Sequence, residues 1–524
     1  MRSVLWGCLA AALVSTCAPA NAAWYEAKSN HFIVYANENP KDLKSYAEKL
    51  ERFDQAVRYV RRMSDPPLTD AGRVTIFVLP DLQAIGMLAG SMSIGGFYRT
   101  DAAGSFAFVP RSTTVMVQGA AEGLEKYDVG VSPDEIFFHE YSHHLQLADT
   151  TVAMPTWVSE GFAEFFSTAN VKKDGSVSIG ANPGSWVAAI HDHTSLPVDQ
   201  MLGATYGSKM YMGQVDALYA RGWLLTHYLA MTDTRKGQMT KYIADIQNGL
   251  TPLNSAKDAF GDLNQLDRDL NGYANQRSYL GFTIKGAVIP IGEVSVRPLG
   301  AGEAAMMSVR IRSKAGMDQS SSAAIASDAR RTAAGFPSDP LVQSELAAAE
   351  FDAKNYAAAD KAADAALAAD GNNIQALMYK GRAQMEFAKA KPKQANWDSV
   401  RNWFLKANKV DTENPQPLAL YYESFAEASQ PLTQNAIDAL LYAVALAPRD
   451  QALRTTAVAL LVSENKLKDA RDMFAPVAYD PHLTSDMRDR ARKIMGALDA
   501  GDAKAALPLL ENTSEVGKTK AGAK

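Results

Sequence analysis

Along the first three hundred residues the spacing of apolar positions switches between two and three-to-four. "HFIVYA" (31–36) alternates and predicts a strand, while Leu43, Tyr46, Leu50, Phe53, Val57 and Val60 predict a helix over 40–63. "RVTIFVLP" (73–80) is a β-branched run closed by proline, a second strand. "GGFYRTDAAGSFAFVP" (95–110) predicts a hairpin with a glycine-containing turn. A helix follows from about Ser132 to Ala148, with "SPDE" as its capping signal. Another begins near Pro155 through "TWVSEGFAEFFSTA", and residues 209–247 carry a further helical pair.

From 286 to 313 short runs such as "VSVRPL" and "MMSVRIR" read as β-like, and the small polar stretch 318–340 reads as a linker. Beyond it the chain is alanine-rich and helical to about residue 500. Asp370, Asp411, Pro448 and Pro481 mark turns after successive helix pairs, 41, 37 and 33 residues apart. That spacing approaches the 34-residue unit of tetratricopeptide repeats. Ala366, Ala407 and Ala443 before the turns, and Ala470 with Phe474, fit its small-residue packing. The bland reading is an irregular alanine-rich bundle.

The expected organisation is a signal peptide (1–22), an α+β domain with a small mixed sheet (23–285), a β-like connector and linker (286–340), an all-α repeat domain (341–500) and a flexible tail (501–524). The signal rests on Arg2, a short apolar stretch and the small residues Ala20-Asn21-Ala22. Both cysteines, Cys8 and Cys17, lie inside it, so the mature chain has neither disulfides nor thiolate ligands. Export to a bacterial periplasm follows as the expectation, with lipid anchoring through Cys17 as the alternative. No segment reaches the length of a membrane span. A formal net charge of -5 supplies no basic excess for binding nucleic acid.

Composition leaves chemistry to one segment. "FFHEYSHHLQ" (137–146) holds three of the chain's eight histidines. His139 and His143, four apart on a helix, leave the same face one turn apart and can bind one metal ion. Glu140 beside them can take a proton from a water held there. A site of this kind needs a third protein ligand, and "PTWVSEGFAEFF" offers Glu160 and Glu164 on one helical face.

"HEYSH…WVSEGFAEFF" resembles the gluzincin zinc metallopeptidases, in style closest to the peptidase-MA-like exported proteins. The resemblance covers roughly residues 24–280 and implies zinc held by His139, His143 and Glu160, with Glu164 orienting His139. Sixteen residues separate His143 from Glu160, slightly fewer than in the related aminopeptidases, which leaves Glu164 as the alternative ligand. "YARGWLL" (219–225) resembles the "Y-x-K-G" helix of that group and implies Tyr219 as oxyanion donor, with Arg221 in place of lysine. The group's Gly-x-Met-Glu-Asn motif is absent from the sequence, which favours an endopeptidase. "GSFAFVP" (104–110) then becomes the strand expected to pair with a peptide by backbone bonds.

His144, the pair His191 and His193, and His227 are not assigned to the metal; His227 reads as structural. The expectation is a zinc-dependent endopeptidase whose repeats bind a protein partner or long substrate. A peptidase-like scaffold without catalysis and a zinc hydrolase of a non-peptide amide are the alternatives.

Overall fold

The computed structural model describes residues 24–92, 94–118, 124–128, 132–149, 154–184, 187–191, 195–203, 212–316, 319–480 and 483–517. The expected signal peptide, His193, Pro481 and the last seven residues lie outside them.

Strands β1 (Tyr25–Lys28), β2 (Phe32–Ala36), β3 (Val74–Leu79), β4 (Phe97–Asp101) and β5 (Gly104–Pro110) build most of one sheet. A hairpin pairs β6 (Thr114–Gln118) with β7 (Leu124–Asp128), and β8 (Asn170–Val171), β9 (Val177–Ile179) and β10 (Phe282–Ile284) form a small third sheet. The main sheet is completed by β11 (Ser295–Pro298), in the order β11-β1-β2-β3-β5-β4. Its centre is parallel, β2 with β3 and β3 with β5, while β4 returns antiparallel as an edge. The strand expected to receive a peptide, 104–110, is therefore bonded on both sides. Among the described residues the edge on this side is β4, because the hairpin folds its first arm outward, and the other edge is β11.

Helices α1 (Pro40–Arg61), α2 (Leu82–Ala89), α3 (Pro133–Asp149), α4 (Thr156–Ser167), α5 (Val187–Ile190), α6 (Val198–Gly203), α7 (Met212–Met231), α8 (Gln238–Gln247), α9 (Pro252–Phe260) and α10 (Leu263–Ala274) complete the first half. Alternate residues of the strands face opposite ways, and both faces are covered. Phe32, Val34, Ile76 and Ala107 join a core with Phe53 of α1, Phe137 and Tyr141 of α3, Trp157 of α4 and Trp223 of α7. Ile33, Tyr35, Phe77 and Phe108 turn the other way onto Ile85 of α2 and onto Met307 and Ile311.

Those last two residues belong to α11 (Ala301–Ala315), where the sequence read β-like. Met307, Val309 and Ile311 alternate with polar residues, which imitates a strand. Glu303 instead accepts from the Gly300 N–H at the start of a helix, and Met307 and Ile311 share a helical face. The expected linker is likewise helix α12 (Gln319–Ala333), because Ile325, Ala326, Ala329 and Ala333 make a buried stripe at helical spacing.

The array continues through α13 (Pro340–Asp352), α14 (Tyr356–Ala369), α15 (Ile374–Ala390), α16 (Trp397–Val410), α17 (Pro415–Glu427), α18 (Gln434–Leu446), α19 (Gln451–Ser463), α20 (Leu467–Ala478), α21 (Ser485–Asp499) and α22 (Ala503–Gly517). Part of the expected tail is thus ordered, with Ala506 and Leu510 in the last apolar cluster. Ala366, Ala407 and Ala443 are fully buried, and Asn373, Asn414 and Asp450 cap the helices after the turns. The chain is a small mixed sheet with helices followed by many helices. Among the described residues no helix is long and apolar enough to cross a membrane.

Candidate metal centre

Helix α3 starts with a reciprocal cap. Ser132 N–H donates to Glu135 at 2.7 Å and Glu135 N–H donates to Ser132 Oγ at 3.1 Å. One face carries Phe137, Phe138, Tyr141 and Leu145 into the core, which leaves His139 and His143 on the face toward α4. Behind α3, Tyr141 donates to Asp54 of α1 at 2.8 Å. Asp54 belongs to a second buried cluster with His31 and Glu51. There His31 Nδ1 lies 2.8 Å from Glu51 and Nε2 2.8 Å from Asp65, and Arg58 donates to Asp54 at 2.7 Å. Burial opposes charge on His31, but Glu51 and Asp54 outweigh it and raise its pKa to about 9. His31 thus ties the start of β2 to α1 and to Asp65 beyond it, and Tyr141 joins the cluster to α3 through Asp54.

On the α4 side three ligand atoms converge. His139 Nε2 and His143 Nε2 are 3.2 Å apart, and each is 3.5 Å from Glu160 Oε2. A tetrahedral zinc ion with bonds of about 2.0–2.1 Å has ligand-to-ligand edges of about 3.3–3.4 Å. The triangle matches that size. Ring tautomers fit as well. His139 Nδ1 lies 3.1 Å from Glu164 Oε1, a partner for its N–H. His143 Nδ1 lies 3.3 Å from Ser159 Oγ, which in turn donates to Gln146 Oε1 at 3.0 Å. With both Nδ1 protons so engaged, the Nε2 lone pairs point at one spot beside a carboxylate, a donor set suited to a borderline-soft cation. Without a cation, burial disfavours charge on His139, yet Glu160 and Glu164 hold its pKa well above the usual range.

Tyr219 comes from α7. Its ring lies 6.0 Å from that of His139 with 16° between the planes. Burial and the charge of Glu160, with Glu140 and Glu164 adding to it, push the phenol far up, so it stays a hydrogen-bond donor. The approach of α7 has a steric origin. A Cβ on Gly161 would meet Gly222 O at 2.4 Å, and one on Gly222 would meet Trp157 O at 3.1 Å. Only two glycines facing each other let α4 and α7 come this close. Arg221, where the resemblance has lysine, is fully buried and donates to Asp267 and Asn271 at 3.0 Å. It anchors the helix from the side away from the histidines.

His139, His143, Glu160, Glu164 and Tyr219 are thus brought together, and Glu160 rather than Glu164 is the carboxylate that meets both Nε2 atoms. Glu140 lies close enough for its charge to act on the phenols of Tyr98 and Tyr219. His144 points away, with Nδ1 2.8 Å from the Tyr98 hydroxyl. His227 has Nδ1 2.8 Å from the Tyr273 hydroxyl and Nε2 2.9 Å from Leu280 O, a structural contact. His191 is exposed. Sequence reasoning missed Ser159 and Gln146. Their signal was present, because Ser159 sits one residue before Glu160 and Gln146 lies three after His143.

No family model matches the chain, and no curated protein matches it. PilF of Pseudomonas aeruginosa is similar at 14% identity and a TM-score of 0.31, over 41% of this chain and 94% of that one. Yeast Tom70 is similar at 12% identity and a TM-score of 0.26, over 63% of this chain and 72% of that one. At such scores neither likeness bears on fold or function.

Proposed function

We propose that the chain is a zinc-dependent peptidase acting as an endopeptidase, exported to a bacterial envelope, with a tetratricopeptide-type array that binds a protein partner or long substrate. The observation that carries this reading is the triangle of His139 Nε2, His143 Nε2 and Glu160 Oε2, with both remaining ring nitrogens beside oxygen atoms. His139, His143 and Glu160 would hold the ion. When bound, it supplies Lewis acidity to a carbonyl group and to a water molecule.

The chain's own groups do the rest. Glu140 accepts the water proton and returns it to the leaving amine. Tyr219, kept protonated by burial and the neighbouring carboxylates, donates to the oxygen that gains negative charge. Glu164 and Ser159 fix the ring orientations. The open edge of β4 offers backbone groups to an extended peptide. The stacked helix pairs supply the kind of groove that partners use.

The test compares bound metal and hydrolysis of casein or quenched peptides by the wild type and Glu140→Gln. The reading expects about one zinc per chain in both and hydrolysis only in the wild type. A metal-free wild type, or equal hydrolysis by both, overturns it.

A further inference from the structure

The helical array touches the sheet twice. After α11 covers one face, the α18–α19 turn returns to the β4–β5 hairpin. Asp450 Oδ2 accepts from Ala102 N–H at 2.7 Å, and its Oδ1 accepts from Leu453 N–H at 2.8 Å to cap α19. Ala102 packs into the apolar cluster of α18 and α19 around Leu440 and Leu453. These contacts fix the residue before Asp450. The Arg449 guanidinium lies 4.6 Å from the centroid of the Tyr98 ring on β4 and hydrogen-bonds the Tyr98 hydroxyl.

A guanidinium can only donate. The Tyr98 oxygen therefore accepts from Arg449, which leaves its O–H to donate to His144 Nδ1, 2.8 Å away. Hydrogen bonds that follow one another in a chain strengthen one another. His144 also stacks on Tyr141, with ring centroids 5.2 Å apart and 12° between the planes, and Tyr141 donates to Asp54 of α1. Helix α3 is thus held from β4 and from α1 across the turn that carries Glu140 and His143. Rotation of that turn about the helix axis sets where both side chains point.

We infer that Arg449 is a positioning residue for the candidate metal centre: from the array, through Tyr98 and His144, it fixes the rotation of α3 and so the aim of His143 and Glu140. This rests on the peptidase reading for the metal and for what Glu140 does. It gives the array a second task beside binding a partner, holding the helix that carries two of the three ligands.

The test uses the full chain loaded with zinc. Arg449→Met keeps an apolar side chain over Tyr98 and removes the donor, while Tyr98→Phe keeps the ring and removes the hydroxyl. Each is expected to weaken zinc binding about tenfold in a chelator competition, as loss of an orienting partner does. Each is also expected to lower kcat on a quenched peptide about tenfold, with KM within twofold of wild type. The double variant should be no worse than either single one, because both break the same chain. Arg401→Met is the control for lost stability: its guanidinium lies 3.8 Å from the Phe425 centroid and bonds Ser424, both within the array. It should lower the melting temperature and leave zinc affinity and kcat within twofold. Zinc affinity and kcat within twofold of wild type in Arg449→Met overturn the inference. So do losses that add in full in the double variant, and so does Arg401→Met matching Arg449→Met on both readouts. A wild type that binds zinc and cleaves no peptide sinks the peptidase proposal alone, and zinc affinity then decides the role of Arg449.

Discussion

Gly161→Ala adds one methyl group where α4 and α7 meet closely beside the candidate metal centre. Its Cβ would lie 2.4 Å from Gly222 O and 2.6 Å from Thr226 Oγ1. Ordinary van der Waals contact begins at 3.4 Å, so the contact is 3.4 − 2.4 = 1.0 Å too short. The nearest atom is backbone and cannot rotate away, so α4 and α7 must separate by about that amount. Overpacking of this kind costs roughly 1–3 kcal/mol. The larger effect falls on geometry, because α4 carries Glu160 and α7 carries Tyr219. A misplacement near 1 Å can cost about 100-fold in turnover. The assay is kcat and KM on a quenched peptide, together with bound zinc and the melting temperature. We expect kcat down about 100-fold and a lower melting temperature, with metal retained because His139 and His143 share α3. Gly272→Ala is the control: it meets nothing within 4 Å and sits inside a helix, where alanine gains roughly 1 kcal/mol. Gly161→Ala with kcat within twofold of wild type refutes the close-approach argument.

Other outcomes follow from the same geometry. Glu164→Gln removes the charged acceptor on His139 Nδ1 and should weaken zinc binding about 10- to 100-fold in a chelator competition. Tyr219→Phe should lower kcat by about 100-fold or more with zinc content and KM little changed. The His31 cluster predicts a pH dependence of stability. Its folded pKa of about 9 lies above the ordinary 6.5, so the stabilisation is fully present below about pH 6.5 and is lost as pH rises through 9. A shift of that size corresponds to about 3 kcal/mol. Melting temperatures from pH 6 to 10 should fall more steeply for wild type than for His31→Gln, and parallel curves would count against it.

The strands and helices of the first half were legible because their apolar periods differ cleanly, as in "HFIVYA" against Leu43, Leu50 and Val57. The convergence of His139, His143 and Glu160 was readable from two short spacings, four residues on α3 and a glutamate on the next helix. The errors have physical causes. Alternation at Met307, Val309 and Ile311 imitates a strand when a helix packs between a sheet and other helices and is apolar on two sides. The small residues of 319–333 resemble a linker because close helix packing and disorder both favour alanine and serine. The edge position of β4 could not be read, since sequence shows that a hairpin forms but not which arm lies inside. Nor could the pairing of Tyr98 with Arg449 be read, because local pattern says nothing about contacts 351 residues apart.

Strand β1 closes its outer side with β11, pairing Tyr25 with Pro298. The partners are 298 − 25 = 273 residues apart. At about 5–20 residues per second, a ribosome takes roughly 14–55 s to deliver the second after the first. Throughout that interval the nascent sheet has an uncapped side and lacks α11 over its second face. Completion of the half that carries the candidate metal centre must therefore wait for residues well beyond it, making this a late-folding polypeptide by topology alone.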